Sequence, residues 1–510
     1  MNSVSGERIR AEHASVGEYI SSVLTPTQRQ NVLLSSFNHW DFAQAALADI
    51  ALCLRELGSD VTLAFWSGRT PLHDVGWTTS RRTSGLLRSP GRDDRVRTAL
   101  IASGLSHEMF AQPPIRRWHP VAALKLPVTL NRTSIRAMEY RGTAVGRAIL
   151  QVHPDTETPV TDDFIWPKKW VAATAKSYAY VYDQTLQLID ERGISAIIVY
   201  NGRFLHDRAA AAAAETRGLP VLNYDMGGSH TDFDLTIDAT HDWDALQQRM
   251  LKLYEHWPTA ERDELGSSWF LERVNHEDPM NALFVDAQKK GAQIELPTAD
   301  CTVVYFSSSG DEIAELELDW DAYFAGQNNA LKVLADECRK RPGYSLVVRS
   351  HPHKRMKPRQ DVDEWLQAVE LAKPDLHLDP FADADSYVLM RQADIVVTYG
   401  STTGVEAAFA HKPVVVMGPC AYDKLGCAIG VATNEELSHA LNVRQPGAWS
   451  GAVSYGLMMK RRGFSYQFVK KNPGGMRSLG STEFSEANKV TLNISHALNR
   501  FERWRLTRAK

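Results

Sequence analysis

A chain of 510 residues exceeds what one hydrophobic core usually supports, roughly 250–300 residues, so two domains are expected. With 44% hydrophobic and 23% charged residues the composition is that of an ordinary globular protein. A net charge of −4 supplies no global basic field for nucleic acid or an anionic membrane. Five scattered cysteines with no CxxC pair argue against a disulfide framework and for a reducing cytoplasm. The polar N-terminus lacks the apolar run of a signal peptide, and no apolar stretch of about 18 residues is present to span a bilayer. A cytoplasmic protein is expected, with peripheral association at the inner face of a membrane left open. The basic stretches 81–97 and 460–471 read as solvated faces.

Residues 1–30 form a polar lead-in. Residues 31–37 (NVLLSSF) are a short apolar run suited to a buried parallel strand, and a helical pattern (FAQAALADIALCLRELG) follows and ends at Gly58. Residues 60–66 (DVTLAFW) complete a strand–helix–strand unit. Residues 68–165, rich in Arg, Thr, Ser and Pro, are expected to form an insertion of irregular and helical pieces. Alternation resumes with a helix over 168–192, a strand over 195–200 (SAIIVY), an alanine-rich helix over 209–216, and VLNY leading to Asp225. The run of alanines predicts a helix packed closely on a sheet. Residues 241–298 read as helical and connecting.

A second alternating region runs through strand 302–306, helix 328–339, strand 344–348, helix 362–371, strand 394–398, helix 403–410 and strand 413–417. An amphipathic helix is expected over 483–505. Two such regions predict an α/β chain of two Rossmann-like, doubly wound domains facing a central cleft. Their expected bounds are 1–290, including the insertion, and 300–480, with 481–510 crossing back to the first domain.

In open α/β sheets ligands bind at the carboxyl ends of strands. YGSTTGVE (residues 399–406) lies between a strand and a helix, where backbone N–H groups and the hydroxyls of Ser401, Thr402 and Thr403 suit a phosphate. Glu406, one turn on, can accept from ribose hydroxyls; the alternative is a capping box. RSHPH (residues 349–353) forms a cationic loop in which Arg349, His351 and His353 can neutralise a phosphate, or else a solvated basic loop. The turn after residue 306 offers Ser308, Ser309 and Glu312 to a phosphate or sugar, or begins a capped helix.

In the N-terminal half, Asn201 and Arg203 follow one strand and Asp225 another. Asp225 is a candidate general base or nucleophile, and His39 and Asp41 compete for the base role. No GxGxxG follows either first strand, which argues against a dinucleotide-dependent dehydrogenase. No HxxxH or HExxH occurs, and His351 and His353 stand too close along the chain for a zinc pair, so no metal is expected.

TVVYFSSSGDE, Gln327, LVVRSHPH and ADIVVTYGSTTGVEAAFAHKPVVVMG together resemble capsule-polysaccharide-synthesis glycosyltransferases, a group that includes bacterial Kdo transferases. More distantly the chain is similar to polysialyltransferases and teichoic-acid glycerophosphotransferases. VYNGRF and GLPVLNYDMGG resemble the group's acceptor-side half. The resemblance implies a GT-B fold, a donor site in the C-terminal domain and no cofactor or divalent metal. It places His351 on the donor phosphate, Ser401–Thr403 in the phosphate turn, and Asn201 and Arg203 on the NGR motif. The group's E-x-G element is here Asp225-Met226-Gly227, with a shorter carboxylate.

The implied partners are a nucleotide-sugar donor, for which the Kdo branch gives a CMP-sugar such as CMP-Kdo, and a bacterial surface glycan or glycolipid acceptor. The alternatives on the same scaffold are a UDP-sugar 2-epimerase and a glycerophosphotransferase. A non-catalytic carbohydrate-binding assembly subunit is the alternative of another class.

Overall fold

The computed structural model describes residues 15–24, 30–36, 41–66, 92–111, 124–152, 164–229, 231–239, 241–277, 289–308, 323–357, 359–472 and 477–484. They form two compact units, Met1–Thr240 with Arg462–Lys510, and His241–Arg461.

The strands of the first unit are β1 (Asn31–Ser36), β2 (Asp60–Phe65), β3 (Phe110–Ala111), β4 (Ala196–Tyr200), β5 (Val221–Met226) and β6 (Asp232–Thr236). With Phe464–Ser465 they make one sheet in the order Phe464–Ser465, β6, β5, β4, β1, β2, β3. The first five run parallel in the order 3-2-1-4-5, and the last two pairings are antiparallel. Helices cover both faces, so these strands are nearly continuous apolar runs rather than alternating ones.

Helix α1 (Asp41–Glu56) is buried along its whole length from Ala43 to Leu54. It packs against strands β1, β2 and β5 of the sheet and against the returning C-terminal segment. Within it Asp49 accepts the backbone N–H groups of Gln467 at 3.0 Å, Phe468 at 2.8 Å and Val469 at 2.9 Å. Burial pushes this carboxyl above its ordinary value, and the three donors oppose that shift. Helix α2 (Lys168–Arg192) ends at Gly193, whose φ of 59° closes a left-handed cap. In α3 (Leu205–Thr216) all of Ala209–Ala214 are buried; the helix lies against strands β4, β1 and β5 of the sheet, as expected, and also against α2.

Part of the presumed insertion belongs to the core. Phe110–Ala111 pairs with β2 and supplies the third parallel strand, and the helix Val145–Leu150 packs on α2. A two-residue strand leaves no apolar run to read, which is why composition alone suggested an insertion. Residues 68–91, 112–123 and 153–163 of that stretch lie outside the described residues.

The second unit holds β7 (Cys301–Phe306), β8 (Tyr344–Arg349), β9 (Leu376–Leu378), β10 (Ile395–Thr398), β11 (Val414–Val416) and β12 (Ile429–Gly430). The sheet order is β12-β11-β10-β7-β8-β9, and every pairing is parallel. This is the Rossmann order. Its helices include α4 (Thr259–Val274), α5 (Gln327–Arg339), α6 (Thr403–Phe409) and α7 (Trp449–Arg461). Two doubly wound, Rossmann-like units in one chain are the composition of the GT-B class.

The boundaries differ from those expected. The connector belongs to the second unit because α4 packs on α7, where Gly266 meets Gly456; a Cβ on Gly456 would overlap the Gly266 carbonyl. The unit therefore begins at His241 and not near residue 300. The chain leaves it at Arg461, ahead of the expected 480. Arg462 O then accepts from Gly228 N at 2.8 Å, and Gly463 (φ 91°) lies too close to the Phe233 carbonyl for any side chain. Thr482–Phe484 is a strand, paired with Arg477–Leu479, so no helix begins at 483. Residues 485–510 lie outside the described residues. No helix among the described residues is long and apolar enough to cross a membrane.

Candidate functional site

Three neighbouring parallel strands of the second unit, β10, β7 and β8, end level with one another: Thr398 pairs with Phe306, and Phe306 with Arg349. The loop after each carries one of the motifs. Two adjacent serines of the central loop join the other two. Ser307 Oγ accepts the His351 N–H at 2.8 Å, and Ser308 Oγ donates to the Tyr399 carbonyl at 2.7 Å. Ser308 N–H donates to Gln327 Oε1 at 2.6 Å, which anchors the same loop to α5. Both serines are buried, so these hydroxyls frame the site.

His351 opens a short helical turn and is itself its cap: the His353 N–H donates to Nδ1 at 3.1 Å. An accepting Nδ1 requires a neutral ring with its proton on Nε2, which makes that nitrogen a donor. Burial, then the positive charges of Lys354, His353, Lys357 and Arg349, lower its pKa from 6.5 to about 3. The residue keeps partial exposure. His353 stands edge-on to it, with ring centroids 6.3 Å apart.

Arg349 does not fit the expected phosphate role. It is 1% exposed, and its guanidinium donates to the carbonyl of Asp379 at 2.7 Å and, more distantly, to those of Ala382 and Ala384. Its charge holds the loop after β9 in place. The next residue, Ser350, is equally buried; its Oγ accepts from Trp365 Nε1 at 2.7 Å and pairs with His377 Nε2 at 2.9 Å.

After β10 the chain turns at Gly400 (φ 78°). Ser401 Oγ lies 3.1 Å from Thr403 Oγ1 and accepts the Thr403 N–H at 3.3 Å. The Thr402 side chain is exposed and makes no cap bond. Tyr422 donates its hydroxyl to the Ser401 carbonyl at 2.5 Å, and a side chain at Gly404 would overlap that hydroxyl, which accounts for the glycine. No capping box forms. Glu406 instead accepts from Arg273 Nε at 2.6 Å and from the Tyr387 hydroxyl at 3.4 Å, both at Oε1.

The first unit holds its own polar group at the ends of β4 and β5. Asn201 (φ 57°) and Gly202 (φ 72°) make a left-handed turn directly after β4, in which a side chain at Gly202 would overlap Asn223. Asp225 accepts from Asn201 Nδ2 at 2.5 Å, from the Tyr200 hydroxyl at 3.2 Å and from Met226 N–H at 2.7 Å. Burial and the Asp225 charge hold Tyr200 protonated. Arg203 lies over the Phe204 ring, 5.0 Å from its centroid.

Asp41 is engaged in an ion pair, with Arg477 Nη1 at 2.7 Å. His39, Ser309 and Glu312 lie outside the described residues. Reading the sequence missed the partners Tyr422, Tyr200, Arg273 and Arg477. Only Tyr200, directly before the NGR turn, carried a local signal. Among the described residues no group of three or more His, Cys, Asp or Glu side chains could hold a metal ion.

The family model described as "Capsule polysaccharide biosynthesis protein" matches residues 317–452, which contain both the RSHPH and GSTTG loops but less than half of the chain. The resemblance read from the sequence stands over that stretch. No curated protein matches the sequence. Solved structures that resemble the chain include Thermosulfurimonas dismutans KpsC, beta Kdo 2,7 transferase. It is 16% identical over 53% of this chain and 79% of that one, with a TM-score of 0.32. Methanocaldococcus jannaschii UDP-GlcNAc 2-epimerase is 10% identical over 83% and 98%, with a TM-score of 0.28. Acinetobacter baumannii MurG is 12% identical over 85% and 96%, with a TM-score of 0.26. Likeness at these scores is too slight to bear on function.

Proposed function

We propose that this protein is a cytoplasmic glycosyltransferase that moves a sugar from a nucleotide-sugar to a hydroxyl of a bacterial surface glycan or glycolipid, without a metal. The observation that carries the reading is the pair Ser307 and Ser308, which fixes the His351 loop and the GSTTG turn to the ends of adjacent strands. His351 Nε2–H and the Ser401–Thr403 turn then donate to the phosphate oxygens of the donor, and Glu406 accepts from its ribose. In the transfer the acceptor oxygen bonds to the anomeric carbon as the bond from that carbon to the phosphate oxygen breaks. The nucleotide leaves with the electron pair, and the hydroxyl proton passes to a base. Hydrogen bonds to the departing phosphate strengthen as its charge grows, which lowers the barrier.

Asp225 is proposed as the base that takes this proton, or as the nucleophile of a double displacement, with Asn201 and Arg203 orienting it and the incoming glycan. In the double displacement its carboxylate first bonds to the anomeric carbon as the nucleotide leaves and is then displaced by the acceptor oxygen. The Kdo branch of the resemblance favours a CMP-sugar such as CMP-Kdo. The five cysteines are buried and unpaired, which suits a reducing compartment.

The test is a thermal-shift screen with CMP, CDP, UDP, GDP and their sugar conjugates, followed by transfer assays with and without chelator. One nucleotide is expected to raise the melting temperature, and His351→Ala is expected to lose that shift and to abolish transfer at unchanged fold. Wild-type turnover in His351→Ala overturns the donor site. Conversion of the nucleotide-sugar without an acceptor points to an epimerase, and transfer from a CDP-alcohol to a glycerophosphotransferase.

A further inference from the structure

Glu406 sits in α6 one turn beyond the GSTTG loop, and its carboxylate is only 8% exposed. A carboxylate so enclosed calls for a cation beside it. That cation comes from the connector: Arg273, near the end of α4, reaches Glu406 Oε1 at 2.6 Å.

The pairing is set by a matched spacing on two helices. Phe270 stacks on Phe409 with ring centroids 4.3 Å apart and planes within 5°, while Arg273 meets Glu406. The two contacts are separated by three residues on each helix, so α4 and α6 present one face to each other in opposite directions. The guanidinium also lies over Trp269, 4.5 Å from the ring centroid, which limits its freedom. Both donors to the carboxylate, Arg273 Nε and the Tyr387 hydroxyl, go to Oε1, and no hydrogen bond to Oε2 occurs among the described residues.

From this we infer that Arg273 is a positioning residue for nucleotide recognition: it keeps Glu406 turned so that Oε2 accepts from the ribose hydroxyls. This rests on the donor-site reading above. Arg273 itself touches no ligand, and it acts only through the carboxylate. Without it, the Glu406 carboxylate turns away, and one acceptor for the ribose is lost.

The experiment uses the full chain and isothermal titration with CMP, CDP, UDP and GDP, each compared with its dideoxyribose counterpart, which lacks the ribose hydroxyls. The variants are Arg273→Gln, Arg273→Lys, Glu406→Gln and the double Arg273→Gln/Glu406→Gln, each checked by thermal melting. Arg273→Gln is expected to weaken the binding ribonucleotide about tenfold or more, the scale of one hydrogen bond to a charged group. It should leave the dideoxy form unaffected.

The double variant should bind no worse than Glu406→Gln alone, and Arg273→Lys should recover part of the loss. Equal loss for the ribose and dideoxyribose forms overturns the inference, since a merely structural role would weaken both. So does a double variant that loses more than either single one. If Arg273→Gln fails to fold, the ribose-specific loss must appear in Arg273→Lys, and its absence there overturns the inference. Should the wild type bind none of the nucleotides, the donor-site reading falls and this inference with it.

Discussion

At the end of β8 the side chain with a permanent charge turns inward, and the one that can lose its charge stays at the loop. Arg349 is committed to carbonyl groups, so the positive field at His351 comes from Arg349, Lys354 and Lys357 together without a guanidinium at the ligand. His351 therefore offers a neutral N–H donor. Its pKa is about 3 in the folded chain against an ordinary 6.5, so the unfolded chain takes up the proton first. The stability tied to the neutral ring is complete above the ordinary value and drains away as pH falls from 6.5 toward about 3. Imidazole C–H resonances of His351 should stay flat between pH 8 and pH 5 in an NMR titration; a midpoint near 6.5 would overturn the tautomer and with it the donor role of Nε2. The residue types and their strand-end placement, those of Ser401, His351 and Asp225 among them, were legible in the sequence. The partner of each charge was not. Arg349, Glu406 and Asp41 are satisfied by groups 30, 133 and 436 residues away, a separation that no local pattern encodes.

Elements were legible where burial on both faces leaves an apolar run, as in β1, β7 and β10. They were illegible where tertiary contact alone defines them. β3 has two residues, and the connector was assigned to the wrong unit because its allegiance depends on one glycine facing another. At the α4–α7 crossing the backbones meet at Gly266 and Gly456, and a side chain at either would overlap the other helix. Replacing Gly456 by valine should force the helices apart and destabilise the second unit by about 2–3 kcal/mol, the scale of overpacking in a core. Equilibrium denaturation measures this; an unchanged midpoint would show that the helices separate without cost. The same reasoning covers the returning segment, which the sequence marked only as a basic stretch. Asp49 holds it through three backbone N–H groups, an arrangement that a buried Asp inside an alanine-rich helix does not announce.

For the molecule as a whole, the sequence supplied two Rossmann-like regions, and the structure shows each with a hydrophobic core of its own. Buried clusters on either face of the first sheet involve only residues up to Leu235 and from Phe464 onward. The buried cluster of the second unit spans Cys301 to Leu441. The chain passes between the units at two places, Thr240–His241 and Arg461–Arg462, so neither core needs the other to close. Two cores of this kind need not melt together, because two-state behaviour is a property of single small domains. Scanning calorimetry should resolve two transitions. The Gly456→Val substitution should lower only the one belonging to His241–Arg461, and a bound nucleotide should raise only that same one. At a free concentration one hundred times its dissociation constant the nucleotide contributes about 2.7 kcal/mol to the unit that binds it. If the substitution and the ligand both moved the entire profile as one transition, the units would be folding as a single cooperative body. A nucleotide that raised the other transition would relocate the donor site to the unit that carries Asp225.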